Sequence, residues 1–464
     1  NHPDLMQTHY FKAAEAAIAG KWVTAEQEIH RAEVLGLPHE VAQQFLAGKA
    51  VAESETETQS TVWRYAYYSL YAVAVWLAGL LLLFVSGKVL SGLTLHSIET
   101  DDPNDFGSKR HALLRKIYRV LINVGGFYYY ISIPVVILLL LAVAGSVVYG
   151  SFMLGRIPIK LIAVIVIGAL VTAFKMVQSL FVKLESGDPG RSIKVEEAPK
   201  LWDLARQVSG VVGTPVVDEI RMTPGTDLAV YQKSGSRRDS EDAGKKVLLV
   251  GAGILNGFSV NAFRAVLAHE YGHLSHRDTA GGEVALRVNA NMRNFAIAMA
   301  QSGQAVWWNL GFWFLRIYHF IFRRLSYGAT RLQEVLADRV AVLNYGAQAF
   351  EEGLRHVIRQ SVEFEEAANS EIMSARQDRR TLRNLYGLEF ATSPGVEDKV
   401  LAATNRSTTQ DDTHPSPADR FRYASRIVSK PVSEIEGTVW DLFADREALT
   451  NEMSNTVNQR LRAG

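Results

Sequence analysis

Apolar and polar residues divide the chain into a membrane part and a globular part. Tyr65 to Gly87 is a run of 23 residues without a charge, bounded by Arg64 and Lys88, which is the length and composition of a transmembrane helix. Two further apolar stretches follow, at 129–149 within an uncharged run from 120 to 155, and at 157–174. We predict three transmembrane helices in a membrane domain of residues 65–180, although the third stretch would also suit a buried helix.

From about residue 197 the pattern becomes that of a globular domain. Pro199 to Val212 has apolar residues at helical spacing, and three short apolar runs typical of strands follow at 218–222, 227–232 and 246–250. Helical spacing prevails after the last of these runs. The pattern therefore predicts a mainly α fold with a small β-sheet in residues 197–430, followed by a helical tail at 431–464.

The first 50 residues predict two short helices and the start of a third. Apolar residues recur at helical spacing in both: Tyr10, Phe11, Ala14 and Ile18 in the first, and Ala25, Ile29 and Ala32 in the second. The pair faintly resembles a tetratricopeptide-type hairpin, but one such unit buries little core, so a simple helical hairpin is favoured over a peptide-binding repeat. We predict that residues 51–64 form a linker. The hairpin of residues 1–50 is a candidate binding surface for a protein partner.

Composition excludes several classes of function. A net charge of +1 gives no reason to expect nucleic-acid binding, and the absence of cysteine excludes disulfides and thiolate metal sites. Any metal site must therefore use histidine and carboxylate ligands. The loop between the first two apolar stretches holds six Lys and Arg residues, so this loop and the globular domain are expected in the cytoplasm, with the N-terminal hairpin on the other side of the membrane.

The clearest candidate for chemistry is the HExxH segment at residues 269–273. On a helix, His269 and His273 lie four residues apart on one face, so both imidazoles can reach one metal ion, and Glu270 leans towards the same point. In this geometry the glutamate serves as the general base. A catalytic zinc ion needs one more protein ligand and one open position.

Glu334 and Asp338 are the candidates that complete this site. The segment 330–341 has no Gly or Pro and predicts a helix on which the two carboxylates share a face. We predict Glu334 as the third zinc ligand, and Asp338 as the carboxylate that accepts the outer N–H of His269 and fixes its tautomer. A lone helix glutamate is usually solvated, but the HExxH segment upstream favours a ligand here.

Three motifs, in this order, carry a resemblance to a known family. The segments HEYGHLSHRD from 269, TRLQEVLADRVA from 330 and THPSPADRF from 413 resemble the membrane gluzincins, the family that contains the HtpX heat-shock peptidase and the CAAX prenyl proteases. The resemblance covers about residues 197–426. It implies an α+β gluzincin-type domain that holds one zinc ion and acts as an endopeptidase on peptides or membrane proteins.

The resemblance also implies roles for residues that spacing alone would not single out. His414 becomes a candidate donor to the oxyanion of the reaction, and Arg420 a residue that anchors its segment. The strand from Asp227 to Val230, which includes Leu228 and Ala229, becomes the edge along which a substrate adds as an antiparallel strand. Here the chain reads Asp-Leu-Ala-Val where the family usually has an Asn-Ala-Phe-type motif. His276 is interpreted as a surface or supporting residue rather than as a ligand.

The region between the two zinc-binding helices poses a question of topology. Residues 294–315 are 22 uncharged residues, enough for one crossing, yet both helices must lie on the same side of the membrane. The apolar region is too short for two crossings. We therefore predict a helical hairpin at about 294–322, bent near 307–309, that lies on or dips into the bilayer, with Trp307, Trp308, Trp313 and Tyr318 at the interface.

Together these expectations describe an integral protein of the bacterial inner membrane with a cytoplasmic zinc endopeptidase domain. Its expected partners are the lipid bilayer and a membrane-associated, misfolded or lipidated protein substrate. One alternative is a non-catalytic membrane scaffold with a structural zinc site, against which the presence of Glu270 argues, since a structural site needs no base. Another is a zinc hydrolase that acts on a substrate other than a peptide.

Overall fold

The computed structural model describes residues 5–105, 108–153, 158–181, 189–233, 244–275, 282–388, 394–405, 408, 412 and 414–463. It is mostly helical with one small sheet, as predicted. The chain divides into two compact units, Asn1–Gly79 and Leu80–Gly464. The helices are α1 (Met6–Ile18), α2 (Trp22–Val34), α3 (His39–Thr100), α4 (Lys109–Met153), α5 (Ile159–Ser179), α6 (Pro199–Val212), α7 (Val260–Ser275), α8 (Gly282–Gln301), α9 (Leu310–Tyr345), α10 (Ala347–Gln377), α11 (Pro394–Asn405), α12 (Pro417–Ala424) and α13 (Arg446–Ala463).

The N-terminal unit is built on the two predicted short helices. α1 and α2 pack on each other and on the start of α3 through a small core that includes Ala13, Ile29 and Ala32. Ala25, Ile29 and Ala32 of α2 are buried. In α1, Ala13 and Ala16 are buried, whereas Phe11 and Ile18 are exposed.

Three helices are long and apolar enough to cross a membrane within the part of the chain that the structure describes. They are Trp63–Thr100, Lys109–Met153 and Ile159–Ser179. The first two contain the predicted stretches 65–87 and 129–149, and the third contains residues 159–174 of the predicted stretch 157–174. The structure differs from prediction at residues 51–64, which are helical as part of the uninterrupted α3 rather than a separate linker segment. The sequence of this segment contains neither Gly nor Pro, the residues that most strongly disfavour a helix.

A four-stranded mixed sheet begins the globular domain. Its strands are β1 (Arg191–Ile193), β2 (Glu219–Thr223), β3 (Leu228–Gln232) and β4 (Lys246–Gly251), in the spatial order β1-β2-β4-β3. β2 and β4 are parallel, and the outer pairs are antiparallel. The three predicted strands are confirmed, and β3 lies at an edge, where it contacts α7.

The core of this domain lies between the sheet, α6 and α7. Residues with no exposed surface, such as Ile220, Leu248 and Phe263, form its centre. Of the predicted helical tail at 431–464, Arg446–Ala463 is an α-helix and Val439–Leu442 a short 3-10 helix, whereas residues 431–438 are not helical. The tail also contributes to this core through Trp440 and Met453. α7 is therefore held on several sides, which fixes the helix that carries the HExxH segment.

The hairpin predicted between the two helices that carry the candidate metal ligands is present as α8 and the first part of α9, which are joined by residues 302–309. The bend lies where it was predicted. α9 then continues without interruption to Tyr345 and so carries Glu334 on the same helix as the hairpin. The interfacial position predicted for Tyr318 is wrong, because its ring is buried and its hydroxyl donates to the backbone oxygen of Gly125 in α4.

Glu371 ties the end of α10 to the segment that follows it. Its buried carboxylate accepts hydrogen bonds from Arg380 and Arg383, which lower its pKa to about 2. The shift of this pKa from its usual value of 4.5 to about 2 corresponds to about 3 kcal/mol in the free energy of unfolding.

We expect the substitution Glu371→Gln to lower the free energy of unfolding at pH 7 by about this amount. Because the folded-state pKa is depressed, the difference should shrink below pH 4.5 and vanish near pH 2. Thermal unfolding of both proteins at pH 7 and pH 3 measures it; an equal difference at both values would contradict this account.

Candidate metal centre and active site

Two imidazoles converge on one side of α7. His269 and His273 lie four residues apart in the helix, and their Nε2 atoms are 3.2 Å apart. His269 is buried, while His273 is partly exposed. The remaining face of α7 is anchored in the core by residues such as Leu267 and Tyr271, so the helix presents both rings in a fixed direction. The prediction that these two side chains share a face is confirmed.

Glu334 of α9 completes a three-ligand group. Its Oε2 atom is 3.5 Å from Nε2 of His269, and its Oε1 atom is 3.5 Å from Nε2 of His273. Ligands at about 2.1 Å around a tetrahedral zinc ion are about 3.4 Å apart, so these spacings fit a zinc ion. The nitrogen and carboxylate donors are also the types that a zinc site without cysteine requires.

Close contact between α7 and α9 makes this convergence possible. Gly272 of α7 faces Ala337 of α9, and a Cβ atom added to Gly272 would be 3.0 Å from the Ala337 Cα atom. A larger residue at either position would push the helices apart. Two small residues therefore set the distance between the histidine pair and Glu334.

Asp338 and Arg420 support the ligand His269. Asp338 Oδ1 lies 2.8 Å from His269 Nδ1, the contact that the sequence predicts. Arg420, from α12, donates to both oxygens of Asp338 at 2.6 and 2.8 Å. This bidentate pair is buried and holds Asp338 in place. The arrangement leaves His269 Nε2 facing His273 and Glu334.

The carboxylates of this pocket stabilise positive charge: burial opposes a charge on His269, but hydrogen bonds to Asp338 and Glu334 raise its pKa to about 10. Burial raises the pKa of Glu334, but hydrogen bonds from His269 and His414 outweigh burial and hold it well below its usual value. Burial likewise opposes ionisation of Asp338, while Arg420 and His269 lower its pKa. With Glu270, three carboxylates face the Arg420 guanidinium and the His269 imidazole. A divalent cation between the imidazoles and Glu334 would take the place of the His269 proton.

Glu270 lies between the metal-binding group and the edge strand β3. Burial raises its pKa to about 7, and the negative charge of Glu334 adds to this effect. The backbone N–H of Val230 in β3 donates a hydrogen bond to the Glu270 carboxylate. The predicted general base and the predicted substrate strand are therefore in direct contact.

His414 also reaches the site. Its Nδ1 atom is 2.9 Å from Glu334 Oε1, although more than half of its side chain is exposed to solvent. It precedes α12, whose start is fixed by Ser416, which accepts a hydrogen bond from the backbone of Asp419. The same short helix thus positions both His414 and Arg420.

The structure brings together most of the residues that the sequence singles out. Asp227 is an exception, since it is exposed and precedes β3, whereas Leu228, Ala229 and Val230 belong to the strand. His276 lies outside the described residues. Sequence analysis missed Phe350 of α10, whose ring is 6.2 Å from that of His269 and 5.4 Å from the Arg420 guanidinium. No local pattern marks an apolar residue that packs on a site from a separate helix.

Removal of the Asp338 charge should weaken metal binding. In Asp338→Asn, His269 loses a charged acceptor and Arg420 is left buried without its anion, so we expect zinc affinity to fall by about 10- to 100-fold. Competition with a chromophoric chelator measures it. Asp203→Asn, which changes an exposed carboxylate on α6, is the control and should bind zinc as the wild type does. Equal affinities of Asp338→Asn and wild type would refute a supporting role for Asp338.

Comparison with known proteins gives one match. Residues 242–428 match the family model described as Peptidase family M48. A search of curated proteins found no match, and a search of solved structures found none. The matched region contains α7, α9 and α12, the three helices that supply the histidines, Glu334 and Arg420.

Proposed function

We infer that the region 242–428, which matches the model of peptidase family M48, the family of HtpX and the CAAX prenyl proteases, is a metallopeptidase domain. On this premise we propose that the chain is a membrane-bound zinc endopeptidase that cleaves membrane-associated, misfolded or lipidated proteins. The observation that carries the proposal is the convergence of His269, His273 and Glu334 with Glu270 beside them.

His269, His273 and Glu334 would hold one zinc ion. Zinc, when bound there, supplies a Lewis acid that polarises the scissile carbonyl and makes water acidic enough to lose a proton near pH 7. The chain's own contribution is to orient the ligands. Asp338 and Arg420 fix the ring of His269, and the contact of Gly272 with Ala337 sets the spacing of the two helices.

Glu270 is suited to move the proton. Its partly buried carboxylate, with a pKa of about 7, accepts a proton from the attacking water and can return it to the leaving amine. The Val230 N–H holds this carboxylate at the strand edge, where the scissile bond would lie. His414 is placed to donate a hydrogen bond to the oxyanion, because it contacts Glu334 and is open to solvent.

β3 can accept an extended peptide along the edge that faces away from β4, where the Val230 N–H donates to Glu270. The backbone oxygen of Asp227 and the N–H of Lys233 both face the β4 side, where they bond Gly251 and Lys245. Alternation along a strand then directs the backbone groups of Leu228, Val230 and Gln232 away from the sheet. A substrate added antiparallel here would meet main-chain partners beside Glu270. Because the hydrogen bonds involve the main chain, binding of this kind requires an unfolded segment but not a particular amino-acid sequence.

Attachment to the membrane limits the range of proteins that can reach the active site. The chain is a membrane protein by its three long apolar helices, and α9 joins the hairpin beside α4 and α5 to the metal-binding group. Six Lys and Arg residues lie between 88 and 119, in the last part of α3 and the first part of α4. By the positive-inside rule the domain therefore faces the cytoplasm of the bacterial inner membrane, while the N-terminal unit faces outward and is available to a protein partner. The expected substrates are therefore proteins that have unfolded segments close to this membrane.

The proposal is tested with the full chain in liposomes. A single-span protein with an unfolded segment on the peptidase side serves as substrate, and mass spectrometry identifies the products. We expect internal cleavage within the unfolded segment, and none when that segment is folded. Products trimmed only from a chain end would contradict endopeptidase activity. Bound zinc without cleavage of any substrate would favour a structural metal site.

A further inference from the structure

The loop that joins α8 and α9 lies beside the middle of a membrane helix. Gln304 lies against Gly168 of α5, and Asn309 donates to the hydroxyl of Thr172 at 2.7 Å. Thr172 is seven residues, or about 10 Å, from Ser179, the end of α5 that leads to the peptidase domain. The loop is therefore level with residues that lie below the surface of the bilayer crossed by α5.

The hairpin does not reach the opposite surface. Arg316 is the first charged residue of α9 after the loop, and it lies six residues, or about 9 Å, from Leu310. Arg324 lies further along α9, and its distance along the helix from Leu310 is still only about 21 Å. The hydrocarbon core of a bilayer is about 30 Å thick. In the region that the structure describes, neither α8 nor α9 has the length and hydropathy of a spanning helix.

Several polar groups of the loop have hydrogen-bond partners within the protein. The N–H groups of Ser302, Gly303 and Gln304 donate to carbonyls of α8, and that of Asn309 donates to Val306. The indole N–H of Trp313 donates to the Trp307 carbonyl at 2.5 Å. Irregular backbone at membrane depth is tolerated only when its polar groups have such partners, whereas a loop in water needs none of them.

A buried polar cluster fixes the loop to α5. The Asn309 side-chain amide bonds both Thr172 and Gln304, at 2.7 and 3.2 Å, and its oxygen accepts from the Gly311 N–H. Thr172 in turn donates to the backbone oxygen of Gly168. Asn309 and Thr172 are almost completely buried. The cluster anchors the loop at one height on α5.

The exposed surface of the hairpin matches one leaflet of a bilayer. Trp307 and Trp308 at the loop are 73% and 63% exposed, and Ile297 on α8 is 49% exposed. Arg293 and Arg316 bound the uncharged run of 22 residues, both are exposed, and they lie at similar distances from the loop, about 12 and 9 Å. Arg316 also stacks over Phe312 and Trp313. A bilayer leaflet has the same order of groups, with lipid phosphates at its surface and acyl chains beneath them. The two arginines therefore match the phosphates, and the apolar tip matches the acyl chains.

We propose that the α8–α9 hairpin is inserted into the leaflet on the peptidase side and stops within it. The indole rings of Trp307 and Trp308 contact acyl chains, and Arg293 and Arg316 bind lipid phosphates. This lipid-binding surface continues the lipid-facing surfaces of α4 and α5, against which the hairpin packs. It does not depend on peptidase activity, so its test requires no substrate.

The chain contains no cysteine, so single cysteines report position without a background. Trp308→Cys probes the tip, and Val428→Cys, which is exposed in the peptidase domain, is the water-accessible control. Each protein is reconstituted in liposomes and treated with a membrane-impermeant maleimide from either side. In parallel, a fluorophore attached to the same cysteine in detergent is tested, after reconstitution, against quenchers carried on lipid headgroups or on mid-chain acyl positions.

Insertion predicts that the thiol of Trp308→Cys is protected from both sides, and that its fluorophore is quenched at least several-fold more strongly from the acyl chains than from the headgroups. Labelling of Trp308→Cys from the side that labels Val428→Cys would overturn the proposal in favour of a surface position. Labelling from the other side would overturn it in favour of a crossing. Protection without quenching from acyl chains would place the tip inside protein and also overturn it. Trp307→Cys repeats the test if Trp308→Cys does not fold.

Discussion

Glu270→Gln is expected to abolish peptide hydrolysis while zinc remains bound. Glutamine keeps the size of the side chain but cannot accept a proton from water, and loss of a general base costs about 10²- to 10⁴-fold in rate. The three metal-binding residues are unchanged, so zinc content should stay at one ion per chain. Cleavage of an unfolded protein and metal analysis of the same preparation measure both quantities.

A matched variant separates this effect from a general loss of carboxylate charge. Glu365 of α10 is exposed, and Glu365→Gln should retain both zinc and activity. If Glu270→Gln cleaved as fast as wild type, Glu270 would not be the base. If it lost zinc as well, the variant would have disturbed the site and the comparison would point to a structural role.

Glu334→Gln is expected to lose the metal itself. The carboxylate supplies the negative charge and the third ligand at 3.5 Å from both imidazoles, and a neutral amide replaces neither well. We expect zinc affinity to fall by more than the roughly 10- to 100-fold that loss of a supporting residue causes. Titration with zinc against a competing chelator measures the change, and activity should vanish at low zinc.

The pair of variants has different signatures. Glu270→Gln should be zinc-bound and inactive, whereas Glu334→Gln should be zinc-poor and inactive. Glu365→Gln again serves as the control. Zinc affinity of Glu334→Gln close to that of wild type would show that the third ligand is another residue. His414, which lies 2.9 Å from Glu334, would then be the first to consider.

Local spacing explains why much of the site was predictable. His269 and His273, like Glu334 and Asp338, are pairs four residues apart, and a helix alone puts each pair on one face. The three apolar helices were also predictable, because a transmembrane helix is defined by length and hydropathy within one segment. In both cases the residues that determine the structure are close together in the sequence, either within one turn of a helix or within one apolar segment.

Features that depend on distant contacts were not predictable in this way. The short strand β1 is defined by its pairing with β2, and the burial of Tyr318 is defined by Gly125 of α4. Phe350 is a third example, since only the packing of α10 brings it to His269. A hydrophobic residue looks the same in sequence whether it faces lipid, the core or a metal site.

The central claim is that one zinc ion held by His269, His273 and Glu334 makes this chain a peptidase. The most direct measurement uses the purified full chain with an unfolded protein as substrate. Cleavage is assayed before a chelator, after the chelator is added and removed, and during stepwise addition of zinc. The account predicts that cleavage disappears with the metal and returns fully at one zinc per chain. Cleavage that survives removal of the metal, or that stays absent at one bound zinc per chain, would contradict it.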